Sequence, residues 1–93
     1  MSFDREASHE LFEVFLGYAI AAEGGDETAI EPAVAAWYDF MMLMSDAGAF
    51  RSDAVFGKYW ALRELVLKGR VRARVNEKSN LDIRAALWRL DQR

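Results

Sequence analysis

The stretch at residues 33–44, AVAAWYDFMMLM, constrains the fold of this chain more than any other. Eleven of its twelve residues are apolar, and Asp39 is its one charge. As a helix it makes a rod of about 18 Å with apolar groups on nearly every side. Such a rod needs cover all round, so it is read as the central helix of a core. Val34, Trp37, Met41 and Met44 form its main stripe, widened by Ala36, Phe40 and Leu43. Ala35, Asp39, Met42 and Asp46 form the least apolar stripe, the side left for solvent or a partner.

Two more helices follow from 3–4 spacing of apolar residues. The first is expected over about 4–23, with Leu11, Phe12, Phe15, Leu16, Tyr18, Ala19 and Ala22 inward, and with Gly24 and Gly25 stopping it. Thr28 to Glu31 has the form of a capping box, and Pro32 fits the first turn of the central helix, which Gly48 ends after about Ala47. The third is expected over about 53–68 with Gly69 as its stop. Its inward residues are Val55, Phe56, Tyr59, Leu62 and Val66, joined by Trp60 and Leu67, while Lys58, Glu64 and Lys68 face out.

After Gly69 the period changes. Arg70, Arg72 and Arg74 alternate with Val71, Ala73 and Val75, which is strand spacing and predicts a short extended segment at about 70–76. Ser79 with Asp82, then Ile83, Ala86, Leu87 and Leu90, predicts a fourth helix over 80–91. The competing reading makes 81–87 a strand, hairpinned at 76–80. The expected fold is all-α: one domain, 1–93, a small four-helix bundle with an arginine-rich extended segment between helices three and four.

Composition enters where size meets apolarity. A chain of 93 residues that is 53% hydrophobic buries only roughly 60–65% of its unfolded surface. Oily side chains are therefore left outside, and exposed apolar patches mark interfaces. Charge is split as well. Residues 1–48 carry ten acids against Arg5, and residues 49–93 carry eleven bases against five acids. Either the halves neutralise each other, or the basic half meets a charged partner.

Motifs for chemistry are few. No cysteine exists for a disulfide or thiolate metal site. Glu6-x-x-His9 matches half of a di-iron carboxylate motif, but His9 is the one histidine and falls on the polar side of its helix. No phosphate-binding glycine loop or nucleophile arrangement is present. The expectation is a non-enzymatic protein with no cofactor, no metal and no small-molecule substrate. It acts by binding a protein partner or itself as a homodimer, as an adaptor, inhibitor or regulator, with Asp39, Met42 and Trp60 at the interface. The alternative is nucleic-acid binding through the basic C-terminal quarter: Arg70, Arg72, Arg74, Arg84 and Arg89. No apolar run reaches the roughly 20 residues needed to span a bilayer and no secretory leader is read at the start, so no membrane association and a cytoplasmic location are expected.

Overall fold

The computed structural model describes residues 5–46 and 53–91 and, within them, every side chain except those of 5, 46, 53–56, 79–83, 85–87 and 89–91. Four α-helices follow in order: α1 (Arg5–Glu23), α2 (Ile30–Asp46), α3 (Asp53–Val66) and α4 (Gly69–Asp91). A single 3-10 turn, Glu27–Ala29, leads into α2. No strand occurs among the described residues. The expected all-α bundle is present.

Side-chain pairs give the directions. Phe15 meets Trp37, and Phe12 meets Phe40, so α1 and α2 run antiparallel. Tyr59 packs on Phe40 and Trp60 on Trp37, so α3 runs antiparallel to α2. Glu27 pairs with Arg70, Glu31 with Arg74, and Tyr38 with Lys78, so α4 runs parallel to α2. The chain goes up, down, up, down.

The core is the 33–44 stretch and what covers it. Trp37, Phe40, Met41 and Met44 are fully buried, and Phe12, Phe15, Ala19 and Ala22 of α1 close over them. Phe12 has four aromatic neighbours: Phe15, Trp37, Phe40 and Tyr59, with ring centroids 4.9–6.3 Å away. Tilted and edge-on pairs of this kind add to the burial itself. The buried Ser8 hydroxyl lies 3.2 Å from the Tyr59 hydroxyl, so each has a partner.

The turn after α1 is built as its glycines imply. Asp26 N–H donates to the Ala21 carbonyl and Gly25 N–H to the Ala22 carbonyl. This is the Schellman pattern, with Gly25 at φ +119° in the position that favours glycine. The start of α2 departs from the expected capping box. Asp26, not Thr28, is the cap, and its carboxylate accepts from both the N–H and the hydroxyl of Thr28. Thr28 lies inside the 3-10 turn.

The extended segment at 70–76 is the main correction, since these residues form the first two turns of α4. Val71 and Val75 are two apart from Ala73 but four apart from each other, so the same letters satisfy both periods. Leu67, Val71 and Val75 are buried at helical spacing, whereas Ala73, which alternation groups with the valines, is exposed. A helix satisfies its own backbone, and an isolated strand does not. Gly69 is accordingly the first residue of α4, and α3 stops three residues before it. The helix expected at 80–91 is the second half of α4. The side chains expected inward there, Ile83, Ala86, Leu87 and Leu90, like those of Val55 and Phe56 of α3, and the stop expected at Ala47–Gly48, lie outside what is described.

Two glycines separate backbone need from mere presence. Gly25 needs its left-handed φ, so Gly25→Ala should cost about 1–2 kcal/mol. Gly17 sits inside α1 with open space where a Cβ would go. Gly17→Ala should therefore stabilise by about 0.5–1 kcal/mol. Urea unfolding of both variants beside the parent checks the opposite signs.

Candidate interaction surface

The basic segment is engaged by carboxylates. Arg70 and Arg74 stand one helical turn apart on α4, and Glu27 and Glu31 stand one turn apart beside them. Arg70 Nη1 lies 3.8 Å from Glu27 Oε1, and Arg74 pairs with Glu31 Oε1. One turn further, the Lys78 ammonium sits 4.1 Å from the centre of the Tyr38 ring. This ladder joins the basic half of the sequence to the acidic half. Its members are solvent-accessible, so each pair contributes little alone and the set mainly fixes register.

Arg72 points the other way and ties α4 to the end of α3. Its guanidinium donates to Glu64 Oε2 and to the backbone carbonyls of Glu64 and Leu67. The Glu64 carbonyl belongs to the last turn of α3, whose carbonyls have no following helical donor, and the Leu67 carbonyl to the joint after it. The start of α4 is capped from a distance: Glu23, at the end of α1, accepts from the Val71 N–H at 2.9 Å. A carboxylate at that point also faces the positive end of the helix dipole.

Arg63 has the least expected position. It is completely buried, with its guanidinium carbon 4.3 Å from the Trp60 ring centre and 5.1 Å from that of Trp37. Its Nη1 donates to Glu64 and its Nη2 to Asn76, while Nε finds no acceptor. Burial pulls the guanidinium below its ordinary value, against the opposing charge of Glu64. Glu64 is held below the usual carboxylate range, first by the hydrogen bond from Arg72 and then by the Arg63 charge, with burial opposing.

Putting Arg63 inside turns other residues out. Among the described side chains, Tyr59 and Arg63 of α3, continued by Leu67 just after it, form the buried stripe. Leu62, expected inward, is 38% exposed, and Leu65 is 79% exposed. Tyr18, expected inward on α1, is also exposed. Ile20 of α1, 59% exposed, shares one open groove with Leu65 and Val66 of α3, closed at its end by Glu23, Gly24 and Lys68. Sequence spacing missed this surface. The clue was available: apolar residues at 59, 60, 62, 65, 66 and 67 span an arc too wide for one buried face.

Of the residues expected at a protein interface, Asp39 is exposed on α2, while Met42 and Trp60 are half-buried. Trp60 spends its ring on Arg63 and Trp37. Arg70, Arg72 and Arg74 are brought to carboxylates and carbonyls rather than to one open face. Arg84 is exposed further along α4, and the Arg89 side chain lies outside what is described. His9 pairs with Glu13 one turn on, at 3.0 Å. Among the described residues no group of three metal-ligating side chains assembles, and no helix is long and apolar enough to cross a membrane. Fold and surface define a small α-helical bundle with an open apolar groove between its first and third helices. The chain matches no protein-family model, no curated protein and no solved structure.

The Glu64 bridge predicts a pH effect. Its lowered value means that the stabilisation is full above the ordinary 4.5 and is lost as pH falls through the folded-state value. Melting temperatures from about pH 6 to about pH 3 should fall less steeply for Glu64→Gln than for the parent. Parallel curves would show that the bridge contributes nothing.

Proposed function

We propose that this is a non-enzymatic protein that works by binding protein, either a partner or a second copy of itself, in the manner of an adaptor, inhibitor or regulator acting in the cytoplasm. One observation carries the reading: α3 buries an arginine and leaves two leucines outside. Leu62 and Leu65 face solvent while Arg63 lies under Trp37 and Trp60. Leu65 would gain about 1.5–3 kcal/mol from burial, and Leu62, already more than half covered, less. A contiguous apolar strip in a groove between two helices suits a protein surface better than a small polar ligand.

Nucleic-acid binding ranks below this reading because the three arginines that alternate in sequence are already paired. Phosphate would have to compete there with Glu27, Glu31 and Glu64.

Affinity capture from the native cell tests the proposal, with the parent and Leu65→Glu as baits. The parent should retain a protein, whether another chain or its own untagged copy, and the variant should lose it. Equal retention by both baits, or none by either, would defeat the reading.

A further inference from the structure

We infer that the groove between α1 and α3 is closed by the same groove of a second copy, through a two-fold axis running along it. This rests on the protein-binding reading above and names the partner.

The groove has an apolar floor and walls of opposite sign. Its apolar lining is Ile20 from α1 with Leu65 and Val66 from α3, and helical spacing carries the same faces on to Leu16 and Leu62 one turn away. Glu23 of α1 and Lys68, just after α3, line it from opposite sides, and helical spacing puts Glu13, which His9 also contacts, and Lys58 further along the same two faces. Neither lysine forms an ion pair among the described residues, in contrast to Arg70, Arg72 and Arg74.

The two helices run in the same direction. Ser8 and Phe12 stand beside Tyr59, and Ile20 and Glu23 stand beside Leu65 and Lys68. Glu23 and Lys68 therefore lie at the same end of the groove, on opposite walls. Glu23 uses one carboxylate oxygen on the Val71 N–H, which leaves the other oxygen for a partner.

Symmetry then selects the arrangement. An isologous dimer presents the same patch twice, face to face. A two-fold axis along the groove keeps height and exchanges walls: α1 of one protomer lies over α3 of the other. Glu23 meets Lys68 at one end, in two equivalent copies, and Glu13 comes to Lys58 near the other. An axis across the groove would lay acid on acid and base on base, which costs free energy. The apolar strips coincide either way, so charge decides. A surface with one acidic and one basic wall is complementary to itself, which is the argument for a second copy over an unrelated chain. With few apolar side chains at its centre the dimer should be weak, roughly micromolar.

Sedimentation equilibrium over a concentration series, with circular dichroism to confirm folding, tests this on the intact chain. The parent should dimerise. Leu65→Glu should be monomeric across the series. Lys68→Glu should weaken the dimer roughly tenfold, because it then faces the partner's Glu23. Trp88→Ala, which trims an exposed ring elsewhere on α4, should leave it unchanged. A parent dimer that ignores Leu65→Glu, that tightens with Lys68→Glu, or that dissolves with Trp88→Ala, overturns the proposed face while self-association itself stands. A parent that stays monomeric throughout overturns the second copy as occupant, and protein binding then rests on the capture experiment alone.

Discussion

Burial of Trp37 is the contact on which the rest of this structure depends. Phe12 and Phe15 of α1, Phe40 of α2, and Trp60 and Arg63 of α3 all pack against it. A ring that large brings three helices within reach of one another and leaves no room for solvent between them. Once it is fixed, α1 must lie antiparallel on α2, and α3 must cross the same aromatic cluster. α4 then has one remaining apolar seam to fill, and Leu67, Val71 and Val75 fill it.

The charge split in the sequence is resolved inside the fold. The acidic half supplies Glu23, Glu27 and Glu31, and the basic half supplies the start of α4. α4 has no local capping side chain, since Leu67, Lys68 and Gly69 precede its first free N–H groups. Its start is held by Glu23 from 48 residues away. This explains why a helix of poor intrinsic apolarity begins where it does, directly after a two-residue joint. Arg72 completes the joint by accepting the role of α3's missing donor.

What the sequence showed and what it hid follow from range. Helix periods, the glycine stop after α1 and the buried stripe of α2 are local signals, and they were legible. Trp37 and Phe40 are sealed inside, as the 33–44 stretch implied, whereas Met42 and Trp60 are only half covered. The alternation at 70–76 misled because Val71 and Val75 fit period two and period four alike. Only the seam on α2 and the remote cap distinguish them. The Glu23 cap and the Glu64 bridge between Arg63 and Arg72 are contacts across helices, and no spacing rule encodes them. The groove was hidden for a related reason: apolar spacing assigns Leu62 to the core, and nothing local marks Arg63 as the residue buried beside it.

That exchange is the step that ties fold to role. A rotation of α3 that buried Leu62 and freed Arg63 would gain apolar burial and spare the cost of desolvating a guanidinium. The observed rotation gives up both. It keeps Arg63 tolerable only by surrounding it with two indole faces, a carboxylate and an amide, and still leaves Nε without an acceptor. Part of the compensation is internal, because Tyr59 and Leu67 share the stripe of Arg63 and are buried with it. The rest comes if the outward leucines gain their burial elsewhere, against a surface that arrives with opposite charges on its two edges. On the proposed dimer, the leucine area left open in one copy would be covered by the other, and the stripe of Tyr59, Arg63 and Leu67 holds α3 in the rotation that presents it.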